Sequence, residues 1–232
     1  MTTTTTTTTR LHIIRHAEAI HNTTHDKTLP DPELSAKGIQ QARTLCRDFP
    51  YKQDVDLVIT SPLRRAIQTT LEGFRDVLDW RYFVTAGAAA AEGGGGGGGG
   101  VPDGASLLVD PEVQAHSSRP CDTGSPREVL QSLFPHLSTS FAGLALDWQL
   151  KQGPYSADDE AVAKRAERVR RRLVERFSQL RGPRRDIVIV SHGGFITYLT
   201  GDPQMKIPAA GWKSFSVMTD DEGKVVLHEL CL

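Results

Sequence analysis

The chain has 232 residues, 38% of them hydrophobic, which is enough for one α/β domain with its own core. A formal net charge of −1 excludes a global electrostatic case for nucleic acid or a membrane surface, so any anion site must come from local placement of arginine and histidine. Cys46, Cys121 and Cys231 are odd in number, far apart and without metal-ligand spacing, which predicts a reduced, cytoplasmic protein.

Met1 followed by Thr2 to Thr9 has neither a signal-peptide pattern nor a hydrophobic period, and reads as a disordered lead-in over residues 1–9. No apolar stretch is long enough to span a bilayer. Leu11 to Ile14 predicts a short strand, and the Asn, Asp and prolines of 21–34 predict a loop. Ser35 caps a helix running to about Phe49, with Ile39, Ala42, Leu45 and Cys46 on one face and Pro50 ending it. Val55 to Thr60 is a second strand, apolar as in a buried parallel sheet, and a helix from about Leu63 to Leu78 follows. Ala88 to Ala91 and the eight glycines Gly93 to Gly100 mark a mobile insertion at about 86–105, because ordering such a run carries a large backbone entropy cost. Residues 106–126 read as loop, with a short helix at about 126–134.

Ser156 opens the longest helix, from about Ala157 to Leu180, with Val162, Ala166, Val169, Leu173, Phe177 and Leu180 as its apolar stripe. Its arginines (Arg165, Arg168, Arg170, Arg171, Arg172 and Arg176) interleave with Glu160, Glu167 and Glu175, which reads as a solvated helix face. Ile187 to Val190 is a third buried strand, with a helix starting at Gly194 behind it. Trp212 to Met218 and Val225 to Leu230 form a hairpin around Asp220 to Gly223. The alternation predicts a single domain over 10–232, with a mostly parallel central sheet covered by helices on both faces.

Three of these strands end in chemistry. The first runs into Arg15-His16-Ala17-Glu18, the second into Ser61-Pro62-Leu63-Arg64-Arg65, and the third into Ser191-His192-Gly193-Gly194. Ligands of such sheets bind beyond the carboxyl ends of the strands, so the two imidazoles and the guanidiniums converge on one edge. That set suits a phosphoryl group: arginine forks grip its oxygens and a neutral imidazole attacks phosphorus in line. Gly193 and Gly194 add backbone N–H donors at a helix start. Positioning and charge neutralisation suffice for such a transfer, so neither metal nor cofactor is required. His12, His25, His116, His136 and His228 lack this context and read as structural or solvated.

Together the motifs resemble the histidine phosphatase superfamily, in the branch of phosphoglycerate mutases and their phosphatase relatives. Pro30-Asp31-Pro32, Gly38 to Ala42 and Pro120-Cys121-Asp122-Thr123-Gly124-Ser125 resemble a fungal subgroup of phosphoglycerate mutase-like proteins. The resemblance implies a three-layer α/β/α fold of phosphoglycerate mutase type. It implies that Arg15 holds phosphate, that His16 becomes phosphorylated, and that Asn22 and Arg65 (rather than Arg64) bind phosphate with His192 as the second histidine. His21, just before Asn22, falls at the mouth of the site, and Glu18 beside His16 is a further substrate-side candidate.

The resemblance has one gap. Where the family places its proton-donating glutamate, this chain has Ala115, within Val113-Gln114-Ala115. Glu112 and Glu18 are the nearby carboxylates, but an extended 111–115 would turn Glu112 to the opposite face from Ala115. Thr197 and Lys213-Ser214-Phe215 also depart from the subgroup and are expected at the outer pocket, while residues 82–160 would cap it. Three readings therefore stand. One is a phosphatase-like hydrolase acting through a phosphohistidine on a small phosphorylated or anionic metabolite. The second is a repurposed enzyme using His16 and His192 as acid and base. The third is a pseudoenzyme that holds an anionic ligand or a partner. Sequence leaves the oligomeric state open.

Overall fold

The computed structural model describes residues 9–84 and 99–231. Nearly all of the threonine run, and the Ala/Gly-rich stretch up to Gly98, lie outside them. A six-stranded sheet runs in the order β3-β2-β4-β1-β5-β6. Its strands are β1 (Leu11–Arg15), β2 (Val55–Thr60), β3 (Ser106–Val109), β4 (Asp186–Ser191), β5 (Trp212–Thr219) and β6 (Val225–Glu229). The first four are mutually parallel, and β5 and β6 add an antiparallel edge.

Alternation along β1 divides the core. Ile14 packs with Ala42, Leu45, Ala66 and Ile67 from helices α2 (Ala36–Asp48) and α3 (Arg64–Gly73). Leu11 and Ile13 pack with Val162, Ala166, Val169, Leu173 and Phe195 from α5 (Asp159–Gln179) and α6 (Gly193–Thr200). Helices thus cover both faces, in the three-layer arrangement that the strand–helix alternation predicts. His12, fully buried on the first face, has both ring nitrogens paired, Nδ1 with Ser214 Oγ (2.8 Å) and Nε2 with Asp186 Oδ2 (3.1 Å). Left unpaired, such a group would cost about 1–3 kcal/mol.

Several elements differ from expectation. Within 21–34 the chain forms a short helix, α1 (Ile20–Thr24), because Asn22 Oδ1 accepts the Ala19 N–H and closes the first turn. Helix α3 stops at Gly73, several residues before Leu78. Residues 106–109, read as loop, form β3 on the edge of β2. Helix α5 begins after Asp158, whose carboxylate accepts the Ala161 N–H, and not after Ser156. A short helix, α4 (Arg127–Leu133), falls where the sequence places one.

The described end of the proposed insertion is paired. Val101 donates to Leu78 O (2.9 Å) and Ala105 to Val77 O (2.8 Å), which ties 101–105 to the segment after α3. Gly100 permits this approach, since it has φ +85° and a Cβ there would lie 2.3 Å from Trp80 Cα.

The arginines of α5 are not one solvated face. Arg165 is 0% exposed. Arg168 pairs with Glu112 (2.8 Å) and Arg172 with Asp110 (2.6 Å), while Arg170 donates to the Tyr198 and Leu199 carbonyls near the end of α6. Arg171 with Glu167 keeps the exposed i,i+4 pairing. The helix is too close to residues 110–115 and to α6 for every arginine to reach water.

Candidate active site

The site lies where three strands end together. Arg15 pairs with Ser191 in the β1–β4 register and Thr60 with Val190 in the β2–β4 register, so the residues just beyond them share one edge. The His16 N–H donates to Ser191 O (2.9 Å) and the Ser61 N–H to Val190 O (3.1 Å), extending both ladders by one residue. The rings of His16 and His192 come to rest 5.0 Å apart, and that of His21 stands 6.3 Å from His16.

Hydrogen bonds fix the tautomers. His16 Nδ1 lies 2.7 Å from its neighbour's carbonyl, Ala17 O, which only accepts. The ring proton is therefore on Nδ1, and the Nε2 lone pair faces Arg65, whose Nε–H donates to it at 3.1 Å. The same guanidinium donates from Nη2 to His192 Nδ1 (3.1 Å), so His192 carries its proton on Nε2 and donates to Ser61 Oγ (2.8 Å). Burial first, and the Arg65 charge second, push both imidazoles well below 6.5. Both are neutral at physiological pH, as a nitrogen nucleophile must be.

Arg65 is the hub. Its side chain is 1% exposed and is held by Cys121 O (2.7 Å) and by Asp122 Oδ1 (2.9 Å). Arg15 borders the first turn of α6: its Nη1 donates to Ile207 O (3.3 Å), and a Cβ at Gly193 would lie 3.5 Å from its Nε. Arg15 Nε is buried and has no protein acceptor. Asn22 Nδ2 donates to His21 Nε2 (3.1 Å), which puts the His21 proton on Nδ1, a second buried donor with no protein acceptor. Burial and the Arg65 charge lower His21 to about 4. The structure thus brings Arg15, His16, His21, Asn22, Arg65, His192 and Gly193 into one cluster. Among the described residues, no three His, Cys, Asp or Glu side chains gather as metal ligands do.

Other expected residues lie elsewhere. Glu18 turns away to the start of α2, accepting from Ser35 Oγ (2.9 Å) and Lys37 Nζ (3.1 Å), because Ser35 caps that helix and offers a hydroxyl. Glu112 is drawn to Arg168 and Arg172 of α5. Ala115 is 1% exposed and packs in the α2/α3-side core. Ser214 and Phe215 pair with His12 and Leu11 at the start of β1, the far end of the strand from His16, so they do not line the pocket. Lys213 is on β5 with them and pairs with Glu229 (2.7 Å). Thr197 bonds back to Gly194 O inside α6.

The sequence reading missed Ser61 as a partner of His192, Asp122 as the counter-charge of Arg65, and Lys151. Ser61 and Asp122 stood inside motifs already singled out. Lys151 lies in a segment without periodicity, and nothing local marks it.

Comparison with known proteins relates the chain to one family of sequences and one fold. Residues 11–80 match the model of the histidine phosphatase superfamily, branch 1, a span that contains Arg15, His16, Asn22, Ser61 and Arg65. A phosphoglycerate mutase-like protein of Arabidopsis thaliana is 28% identical over 203 residues, covering 80% of this chain and 71% of that protein. A mycobacterial glucosyl-3-phosphoglycerate phosphatase structure superposes with a TM-score of 0.56 at 19% identity, covering 96% of this chain and 98% of that one. The α-ribazole phosphatase of Shigella flexneri gives a TM-score of 0.50 at 20% identity, with 95% of each chain covered. With its strand-end motifs folded into one histidine–arginine cluster, the chain is similar to the histidine phosphatase superfamily, branch 1, over residues 11–80.

Proposed function

We propose that the chain hydrolyses phosphate monoesters of a small metabolite through a phosphohistidine on His16. The observation that carries this reading is the state of His16: neutral, with its proton on Nδ1 and its Nε2 lone pair facing the guanidinium of Arg65. Nε2 attacks phosphorus and the ester oxygen leaves. Arg65, Arg15 Nε and His21 Nδ1 supply donors for the non-bridging oxygens, and Asn22 and the first amides of α6 at Gly193 complete the cradle. His192, directed by Ser61, lies against the transferring group from the β4 side. Water then attacks the phosphohistidine and frees inorganic phosphate. The relatives named as phosphatases of glucosyl-3-phosphoglycerate and α-ribazole phosphate support a small phosphorylated substrate.

The test compares p-nitrophenyl phosphate with an alkyl phosphate, using His16→Ala as the blank. Turnover of p-nitrophenyl phosphate, with acid-labile phosphate on the protein that vanishes in His16→Ala, supports the reading. Failure to cleave either ester overturns it. Turnover of a non-phosphate substrate that depends on both histidines would instead favour acid–base chemistry.

A further inference from the structure

With Ala115 lacking a carboxylate, and Glu112 and Glu18 both engaged elsewhere, the leaving oxygen needs another proton source. Two cations reach the Ala115 carbonyl: Arg165 Nη2 (3.4 Å), a guanidinium that keeps its proton, and Lys151. Lys151 Nζ donates to the backbone carbonyl of Ala115 itself (2.8 Å) and to Gln114 Oε1 (2.6 Å). An ammonium has three donors, so one N–H is left over. The segment carrying it is docked at two further points. Gln114 Nε2 donates to Trp148 O (3.3 Å), and Trp148 packs so closely on Gly124 that a Cβ there would lie 2.1 Å from its ring. Lys151 is thereby held against the Ala115 loop and beside the loop that carries Asp122.

We propose, on the phosphohistidine reading above, that Lys151 is the proton donor and acceptor of the reaction, in place of the glutamate that Ala115 replaces. In the first step His16 Nε2 bonds to phosphorus, the bridging P–O bond breaks, and a proton passes from the Lys151 ammonium to the departing alkoxide, leaving an alcohol, a phosphohistidine and a neutral amine. In the second, the amine takes a proton from water as its oxygen attacks phosphorus. The P–N bond breaks, inorganic phosphate leaves, and both side chains return to their starting states.

The electrostatics suit this exchange. Burial, with the charge of Arg165 adding to it, lowers Lys151 to about 7, while Asp122 opposes the shift and Arg65 adds to it. The other groups that feel its charge are His192 and His116. An acid that titrates near the operating pH is the most effective kind.

The experiment measures single-turnover phosphorylation of His16 by p-nitrophenyl phosphate and by glycerol 2-phosphate, across pH 5 to 9. It uses the unaltered chain, Lys151→Arg and Lys151→Met. The quantity read is the alkyl-to-aryl rate ratio, since only the alkyl ester needs a proton, and ionisation of the phosphate itself affects both esters. In the unaltered chain the ratio should fall about tenfold per pH unit above about 7. Lys151→Met should lower it by ~10²–10⁴, and Lys151→Arg should also lower it and make it independent of pH, because a guanidinium keeps its proton. A ratio unmoved in both variants, or a loss of the two rates in equal measure, makes Lys151 a strap on residues 114–115 and overturns the proposal. The pH dependence in the unaltered chain decides the matter even if a variant misfolds. No His16-dependent cleavage of the aryl ester by the unaltered chain instead overturns the phosphatase reading, a separate result.

Discussion

Arg65 Nε donates to His16 Nε2 at 3.1 Å, so a buried cation already rests on the lone pair from which a bond to phosphorus would form. The same side chain lowers the histidine's proton affinity and points a donor at the place where a phosphate oxygen would lie. Arg65→Lys keeps the charge but not the fork, and cannot reach His16, His192, Cys121 O and Asp122 together. Turnover of p-nitrophenyl phosphate is expected to fall by ~10²–10³. NMR titration of Arg65→Ala should show the His16 pKa rising, since the second-largest cause of its depression is gone. Near-normal turnover in Arg65→Lys would contradict this assignment.

Stability should depend on pH through the buried imidazoles. His16 and His192 stay neutral in the fold well below 6.5, and His21 to about 4, whereas unfolded histidines take up protons below about 6.5. The unfolded state then binds more protons, so this contribution is complete above pH 6.5 and is lost as pH falls toward 4. The measured Tm should drop through that window, and His16→Asn/His192→Asn should show a shallower drop. An equal slope in the double variant would count against the depressed values.

Gly38 sits where α2 meets the loop after His16. A Cβ there would lie 1.9 Å from Glu18 O, a backbone atom that cannot step aside. Gly38→Ala should therefore destabilise the chain by about 1–3 kcal/mol, despite alanine's better helix propensity, and lower turnover by displacing residues 16–19. Chemical denaturation with a parallel activity assay checks both effects, and a stabilised variant would show that the contact is not as tight as described.

Arg165 is buried with Nε and Nη1 lacking acceptors, and only Nη2 reaches the Gln114 and Ala115 carbonyls (3.2 and 3.4 Å). Methionine can fill its volume without a charge, so Arg165→Met should cost clearly less stability than Arg165→Ala, measured by denaturant unfolding. Because its charge helps depress Lys151, Arg165→Met should raise the Lys151 pKa above about 7 and move the alkyl-ester pH limb upward. A downward or absent shift would refute that coupling.

The site itself was largely legible in the sequence because each piece is local. A buried strand must end, and chain adjacency fixes the next residues at the carboxyl edge, so Arg15-His16, Ser61 to Arg65 and Ser191-His192 point to one shared edge from sequence alone. The apolar runs of β1, β2 and β4 and the Ser35 cap were readable for the same reason. The short strand β3 was not, since four residues with one exposed and one half-buried position carry little periodic signal.

The destination of the charges, by contrast, depends on tertiary packing. Arg165 and Arg171 look alike along the helix, yet one is fully buried and the other pairs in water, because the 114–115 segment and Phe195 of α6 cover one side of α5 alone. Glu18 and Glu112 lie close in sequence to His16 and Ala115 and serve neither, drawn off by Ser35 and Arg168. Lys151, 36 residues beyond Ala115, comes to rest on its carbonyl. Local pattern sets which backbone forms and where it ends, whereas a long charged side chain finds its partner only after distant segments have packed and water has been removed.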